Sequence, residues 1–328
     1  MKKLSLIIPC YNESAPLRDT YIEVKRVLEL QQIKEDYTHE IIFVNDGSKD
    51  DTLEIIEGLS FRDESVKYIS FSRNFGKEAA MLAGLEHSTG DMSIIIDADL
   101  QHPPHLIIDM LNFYEQGFDQ VIAKRSRKGE NFFRKWVTRF YYRLINKLID
   151  VELVDGIGDF RLLSRKAINS LLSLSEYNRF SKGLFSWIGF EKKVIEYENQ
   201  ERVAGESKWG FGSLLNYAID GMTSFNSKPL RLLIYLGLLI TFLNVIYISI
   251  TFINILIFGI DMPGYFTIIS SILLLGGIQL IAIGVLGEYV GRIFYEVKRR
   301  PHYIVSQTNI SPESDKNINK DQYLGVYK

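Results

Sequence analysis

Two long apolar runs near the carboxyl end constrain this 328-residue chain more than any other feature. No charged residue occurs between Arg231 and Asp261, and none occurs between Asp261 and Glu288. Each run exceeds the ~20 apolar residues that a helix needs to cross the hydrocarbon core of a bilayer. A buried hairpin in a soluble core is the alternative, but two such runs in succession favour a transmembrane hairpin over residues 230–305.

Basic residues flank the apolar runs, whereas the connecting turn at residues 259–264 has no positive charge. Lys228 and Arg231 precede the first run. The basic residues that follow the second run are Arg292, Lys298, Arg299 and Arg300. Because positively charged flanks stay in the cytoplasm, both termini are expected there, in a multi-pass protein of the inner or plasma membrane. The polar tail, residues 306–328, is expected to be loosely ordered.

Charge and cysteine content exclude several functions. The formal net charge of −2 argues against a general nucleic-acid binder, because no domain-wide positive field is expected. The single cysteine, Cys10, rules out an intrachain disulfide framework and a multi-cysteine zinc site. The apolar stretch that follows Met1 ends at Pro9, which is too short for a signal peptide, so residues 1–229 are expected to form a cytoplasmic domain.

Residues 1 to about 125 alternate short β-branched runs with longer segments of helical periodicity. Continuous apolar strands separated by helices indicate an α/β fold with a parallel sheet covered on both faces. The expected strands are Leu4–Pro9, Glu40–Asn45, Val66–Ser72, Met92–Asp97 and Gln120–Ala123. No GxGxxG follows the first strand and there is no P-loop, which disfavours dinucleotide oxidoreductases and NTPases.

The fourth expected strand ends at one aspartate, Asp97, and a second, Asp99, follows two residues later. Their side chains point the same way along an extended chain, because side-chain direction alternates with a period of two. Unpaired carboxylates so placed repel each other, and Mg²⁺ or Mn²⁺ resolves that repulsion with few protein ligands plus water and substrate phosphates. With Asp46 at a neighbouring strand end, the pattern predicts a divalent metal site, while a solvated loop is the alternative.

Three segments at these strand ends look like the successive motifs of family 2 inverting glycosyltransferases. They are residues 7–13 (IIPCYNE), 44–52 (VNDGSKDDT) and 97–104 (DADLQHPP). Further motifs resemble the polyprenyl-phosphate glycosyltransferases, which include relatives of dolichyl-phosphate mannose synthase and the undecaprenyl-phosphate glycosyltransferases of bacteria. These motifs are residues 158–162 (GDFRL), 179–187 (RFSKGLFSW), 202–208 (RVAGESK) and 287–292 (GEYVGR).

The resemblance implies a nucleotide-sugar-binding, Rossmann-like domain of the GT-A type. It also implies an inverting, metal-dependent transferase that uses Mg²⁺ or Mn²⁺. The donor would be a nucleotide-sugar, with UDP-glucose or UDP-N-acetylglucosamine favoured, and the acceptor would be polyprenyl (undecaprenyl) phosphate in a membrane. A homo-oligomer is expected as well, with a tetramer as the assembly.

The resemblance also assigns roles to individual residues. The nucleoside would contact Pro9, Tyr11, Glu13 and Asp46. Asp97 and Asp99 would hold the metal and the donor diphosphate, and the two catalytic residues would be Asp99 and Asp159, the latter matching the proposed base. Gln101 would lie beside the sugar and Arg125 near the donor phosphates. The lipid phosphate would bind Arg202, Ser207 and Lys208. His102 and His105 flank two prolines and are interpreted as loop residues rather than ligands.

Residues 132–149 combine a basic line with an adjacent apolar line at helical spacing. The basic residues are Lys135, Arg139, Arg143 and Lys147, and the apolar residues are Trp136, Phe140, Leu144 and Leu148. Such a helix is predicted to lie in the lipid headgroup layer, with packing against the globular domain as the alternative. The segment 213–226 is similarly amphipathic and leads into the first apolar run.

Three other functions compete with a lipid-phosphate transferase. A processive polysaccharide synthase would carry a Gln-x-x-Arg-Trp motif, which the sequence lacks. A scaffold that kept the fold and lost the chemistry would not need the aspartates at positions 46, 97, 99 and 159. A flippase or channel subunit would need an intramembrane charge, and the two apolar runs contain none.

Overall fold

The computed structural model describes residues 1–35, 37–126, 156–198, 228–258 and 264–311. Several sequence predictions fall outside these ranges. They concern the amphipathic segments at 132–149 and 213–226 and the proposed lipid-phosphate ligands Arg202, Ser207 and Lys208.

An eight-stranded sheet forms the centre of the domain, with strand order β7-β5-β6-β4-β1-β2-β3-β8. The strands are β1 (Lys3–Cys10), β2 (Thr38–Asn45), β3 (Val66–Phe71), β4 (Met92–Ile95), β5 (Gln120–Arg125), β6 (Ile157–Ser164), β7 (Lys192–Tyr197) and β8 (Val305–Thr308). The first five agree closely with the strands expected from the apolar runs. Their β-branched residues suit the pleated, doubly covered surface of a central sheet.

Strand directions are mixed. β1 pairs in parallel with β2 and β4, β2 with β3, and β5 with β7. β6 lies between β4 and β5 and runs antiparallel to both, and β8 runs antiparallel to β3. The expected α/β fold with a mostly parallel sheet is thus confirmed, with antiparallel insertions that the apolar runs do not encode.

Helices cover both faces of the sheet. They are α1 (Leu17–Glu35), α2 (Thr52–Arg62), α3 (Lys77–Glu86), α4 (Leu106–Glu115), α5 (Arg165–Leu172), α6 (Ser181–Trp187), α7 (Lys228–Phe258) and α8 (Tyr265–Lys298). α1, α2 and α4 pack on one face, where Leu6 and Ile8 of β1 are buried. α3, α5 and α6 pack on the other face, where Ile7 is buried. Because side-chain direction alternates along β1, successive residues of this strand are buried in two separate cores.

The last two helices differ from the others because they expose large apolar side chains along their length, among them Leu238, Phe242, Leu280 and Ile283. Within the described residues, the segment Leu274–Lys298 of α8 is long and apolar enough to cross a membrane. Membrane crossing by both helices therefore stays a prediction.

The chain returns to the sheet after α8. Tyr303 is fully buried, stacks on Phe71 with ring centroids 4.8 Å apart, and donates a hydrogen bond to Glu86. Ser72 N–H donates to Ile304 O at 3.0 Å, just before β8 begins. The expectation of a loosely ordered tail from residue 306 is therefore wrong for the start of that tail. An edge strand this short has too little alternation to stand out in the sequence.

Candidate active site

Strand pairing brings Asp97 and Asp159 together from distant parts of the chain. In the antiparallel register of β4 and β6, Met92 lies opposite Ser164 and Ile95 lies opposite Arg161. Continuing that register by two residues places Asp97 opposite Asp159. The antiparallel insertion of β6 is therefore what unites the predicted metal ligand with the predicted base.

Lys77, the first residue of α3, lies between these two carboxylates. Its Nζ is 2.6 Å from Asp97 Oδ1 and 2.7 Å from Asp159 Oδ2. Burial alone would lower the pKa of Lys77, but attraction to both carboxylates outweighs it and raises that pKa above its ordinary value. Burial would likewise raise the pKa of Asp97 and of Asp159, yet Lys77 lowers both. All three groups are therefore charged at neutral pH.

His102 completes one side of this cluster. Its Nε2 lies 3.4 Å from Asp97 Oδ2, and its Nδ1 lies 2.6 Å from the Tyr197 hydroxyl. The imidazole also contacts the ring of Phe160, with centroids 5.2 Å apart. Burial raises the pKa of Tyr197 to about 12, so its hydroxyl stays protonated. His102 is a loop residue, as expected, and it also supports the carboxylate of Asp97.

The turn after β4 holds the second predicted metal ligand. Asp99 Oδ1 accepts a hydrogen bond from Gln101 N–H at 3.1 Å, so the sugar-binding candidate Gln101 lies next to it. Between them, Leu100 adopts a left-handed backbone with φ +56°, which is costly for a branched side chain. Strain of this kind persists only where the surrounding structure imposes it, and it is concentrated at functional sites.

The donor set suits a hard divalent cation. Among the described residues, no group of three or more His, Cys, Asp or Glu side chains is arranged to hold a metal. Asp97 and Asp99 supply only carboxylate oxygens, which fits Mg²⁺ or Mn²⁺ bound through few protein ligands and substrate phosphates. A cation that binds Asp97 would have to compete with Lys77, which already contacts Oδ1.

Asp46 ties the end of β2 to the loop that opens α3. Its Oδ1 accepts from Phe75 N–H at 2.6 Å and its Oδ2 from Gly76 N–H at 3.0 Å. The side chain is buried, and that burial raises its pKa despite both hydrogen bonds. Gly76 has φ +99°, a conformation that favours glycine, and it directly precedes Lys77. Asp46 therefore positions the lysine, whether or not it also contacts a nucleoside.

β1 and the loop after it carry three predicted donor ligands, with Pro9 in the strand and Tyr11 and Glu13 in the loop. This loop is fixed to the loop after β2, because Asn12 N–H donates to Ser48 Oγ and Glu13 N–H donates to Thr52 Oγ1, both at 3.0 Å. Tyr11 lines a cavity of about 590 Å³ beyond the ends of β2 and β3.

Arg125 lies at the end of β5, opposite Tyr197 in the parallel register with β7. Its N–H donates to Gly156 O at 2.9 Å, which fixes the end of β5 against the start of β6. The structure thus joins Asp97 and Asp159 through Lys77, holds Asp99 and Gln101 together in the turn that follows Asp97, and places Tyr11 after β1 and Arg125 at the end of β5.

Sequence reasoning missed Lys77 and its neighbour Glu78. A lysine in the first turn of a helix is disfavoured by the helix dipole, so this position could have signalled a carboxylate partner. Glu78 accepts hydrogen bonds from Ser181 N–H and from the Ser181 hydroxyl. Burial raises the pKa of Glu78 to about 7. The contact of Glu78 with Ser181 joins α3 to α6, which are far apart in sequence, so no local periodicity predicts it.

Two sequence profiles match this chain. One, described as glycosyl transferase family 2, matches residues 5–172. The other, described as GtrB C-terminal hairpin, matches residues 228–293.

Similar proteins match along nearly their whole length. The putative glycosyltransferase CsbB of Bacillus subtilis (strain 168) is 56% identical over 312 residues, which cover 95% of this chain and 93% of that protein. The uncharacterized glycosyltransferase sll0501 of Synechocystis sp. is 41% identical, covering 93% of this chain and 95% of that protein. The SfII prophage-derived bactoprenol glucosyl transferase of Shigella flexneri is 44% identical, covering 94% of this chain and 98% of that protein.

Proposed function

The chain belongs to glycosyl transferase family 2, and we propose that it transfers a sugar from a nucleotide-sugar to the phosphate of a polyprenyl lipid. The observation that carries this proposal is the Asp97–Lys77–Asp159 cluster at the carboxyl edge of the sheet. Ligands of open α/β sheets bind at that edge. UDP-glucose is the favoured donor because full-length relatives are named bactoprenol glucosyl transferases, with UDP-N-acetylglucosamine as the alternative.

Asp97 and Asp99 would hold Mg²⁺ or Mn²⁺ against the donor diphosphate. When bound, such a cation neutralises charge that develops as the nucleotide leaves. Arg125, at the end of β5, would add positive charge near the same phosphates. Gln101 is held beside Asp99 by its own backbone and would face the sugar.

The acceptor needs orientation more than deprotonation. A phosphate monoester is already largely dianionic near neutral pH, since its second pKa is about 6. Asp159 is a weak base because Lys77 lowers its pKa, and this favours a role in placing the acceptor through the ammonium of Lys77, which Asp159 holds, over a role in removing a proton. Attack from the face opposite the leaving nucleotide would invert the anomeric carbon.

Two anions must meet for this reaction, and fixed positive charge lowers the cost of bringing them together. Lys77 supplies such a charge between the two aspartates. Arg202, Ser207 and Lys208, which lie outside the described residues, are proposed to bind the lipid phosphate.

Attachment to a membrane would follow from α7 and α8 crossing it as a hairpin, with the catalytic domain and both termini in the cytoplasm. The end of α8 contacts the catalytic domain: Tyr177 stacks on Tyr295 with centroids 5.5 Å apart, and Tyr177 N–H donates to Glu296 Oε1 at 2.8 Å. The amphipathic segments 132–149 and 213–226 would hold the site near the headgroups. A homo-oligomer, with a tetramer as the working assumption, would enlarge this small anchor.

A radiolabel transfer assay tests the proposal. Purified protein, Mn²⁺ or Mg²⁺ and undecaprenyl phosphate would be offered a panel of labelled UDP- and GDP-sugars. Label should enter the lipid fraction with one donor and be lost in Asp99→Ala. The matched control is Asp109→Ala, which removes an exposed aspartate on α4. Nucleotide release without labelled lipid would point to another acceptor, and no turnover with any donor would favour a scaffold.

A further inference from the structure

One wall of the cavity beside Tyr11 comes from an unexpected part of the chain. The cavity measures about 590 Å³, within the range of pockets for small ligands, and Ser306 and Gln307 line it. Both residues belong to β8, which follows the membrane hairpin in sequence. The other walls come from residues at the ends of β1, β2 and β3 and from Leu53 of α2.

This wall is fixed in place by hydrogen bonds of residues that follow Gln307 and by a buried side chain that precedes it. Thr308 donates from Oγ1 to Tyr68 O at 2.7 Å, and Tyr68 N–H donates to Asn309 Oδ1 at 2.8 Å. Val305, which precedes it on the same strand, is buried in the core. β8 is therefore a built part of the domain rather than a passing segment of the tail.

The side-chain amide of Gln307 can form hydrogen bonds with a ligand in this cavity. It lies opposite Ser70 in the β3–β8 register, and the register shifts immediately afterwards, between Ser70 and Phe71. The neighbouring amide of Asn45 is already engaged, because its Nδ2 donates to Ser70 Oγ at 2.9 Å. Within the described parts of the chain, the side-chain amide of Gln307 makes no hydrogen bond.

The charge of the cavity suits an anionic ligand. Its described lining includes two basic residues, Lys49 and Arg73, and no acidic one. Tyr11 supplies an aromatic ring on the same lining. An aromatic ring, a primary amide and two cations together match a nucleoside diphosphate, whose base can stack and hydrogen-bond while its phosphates meet positive charge.

We propose that Gln307 binds the base of the donor nucleotide, so that the strand after the membrane hairpin completes the donor site. The inference rests on the proposed function, since it takes a nucleotide-sugar as the donor. A primary amide presents one donor and one acceptor side by side, which complements the N–H and adjacent C=O of uracil or guanine. Gln307 is thus a determinant of donor affinity and choice of base rather than a residue of the sugar-transfer step.

Nucleotide binding to the full-length protein tests this assignment. Isothermal titration would measure UDP and GDP binding, each with Mn²⁺, to the wild type, Gln307→Ala and Gln307→Glu. Loss of one hydrogen-bonding pair should weaken the preferred nucleotide about tenfold in both variants. The ratio between the dissociation constants of UDP and GDP should therefore be smaller in both variants than in the wild type. Gln116→Ala makes the same chemical change at an exposed position after α4, and should bind like the wild type.

The outcomes separate this inference from the proposed function. Wild-type protein that binds nucleotide and labels lipid, with Gln307→Ala binding equally well, would overturn the role of Gln307 alone. Wild-type protein that binds neither UDP nor GDP would overturn both. An unchanged Tm in Gln307→Ala, with weakened binding, would show that the loss arises at the pocket and not from detachment of β8.

Discussion

Replacing Lys77 by methionine tests the arrangement at the centre of the site. Methionine keeps most of the side-chain length and removes the charge. The aspartates at 97 and 159 would then face each other without the ammonium that lies 2.6 and 2.7 Å from them. Two unit charges ~4 Å apart attract by about 4 kcal/mol at an effective dielectric constant of ~20. Because 43% of the Lys77 side chain is exposed, solvent screens its attraction to the two aspartates. We therefore expect this attraction to contribute about 1–2 kcal/mol to the free energy of unfolding.

The effect on catalysis should be larger than the effect on stability. Removing one fixed charge that stabilises a reacting anion lowers kcat about 100-fold. Mn²⁺ should nevertheless bind more easily to Lys77→Met, because Asp97 no longer has a competing cation. We expect the Mn²⁺ concentration at half-maximal rate to fall about threefold to tenfold.

Steady-state kinetics at varied Mn²⁺, with thermal unfolding in parallel, would measure both effects. Lys2→Met is the matched control, because Lys2 also pairs with a carboxylate, Glu115 at 2.6 Å, but at an exposed site. The control should keep wild-type kcat and metal dependence. Wild-type kcat in Lys77→Met, or a metal requirement that rises instead of falling, would refute the proposed role of the lysine.

Three further predictions concern other parts of the molecule. Asp159→Asn should lower kcat about 100-fold with little change in donor KM, and full activity in the transfer assay would dispose of its assigned role. Glu78→Gln should flatten the pH dependence of stability: the folded-state pKa of Glu78 is raised to about 7, so the wild type loses stability as pH rises from about 4.5 to 7. Tm measured at pH 5 and pH 8 checks this, and an equal loss of Tm in both proteins would contradict it. Neutralising the basic line of the 132–149 segment should reduce transfer to acceptor in anionic bilayers more than transfer to a short soluble acceptor. Equal losses of activity on the two acceptors would show that these basic residues do not act by binding lipid headgroups. The residues are Lys135, Arg139, Arg143 and Lys147.

Local pattern predicted most of the sheet. The first five strands appear where the β-branched runs lie, and the polar residues at their ends gather at one edge, as expected of parallel strands. The resemblance to family 2 glycosyltransferases is confirmed by matches along nearly the whole chain.

Non-local pairing accounts for what was missed. β6 lies antiparallel between β4 and β5. No pattern in residues 157–164 predicts which strands β6 pairs with. The contact of Lys77 with Asp159 depends on that insertion, so the lysine could be suspected from its helix position but not placed. β8 pairs with β3 across more than half of the chain, and its four residues carry too few alternating positions to predict a strand.

Identification of the lipid product tests the central claim most directly. The protein would be incubated with UDP-glucose, Mn²⁺ and undecaprenyl phosphate, and the extracted lipid would be analysed by mass spectrometry and by NMR at the anomeric carbon. The account predicts undecaprenyl phosphate that has gained one hexose, with the anomeric configuration inverted relative to the donor, and no such product from Asp97→Ala. Free sugar without a modified lipid, or a lipid-linked sugar that retains the donor configuration, would contradict it.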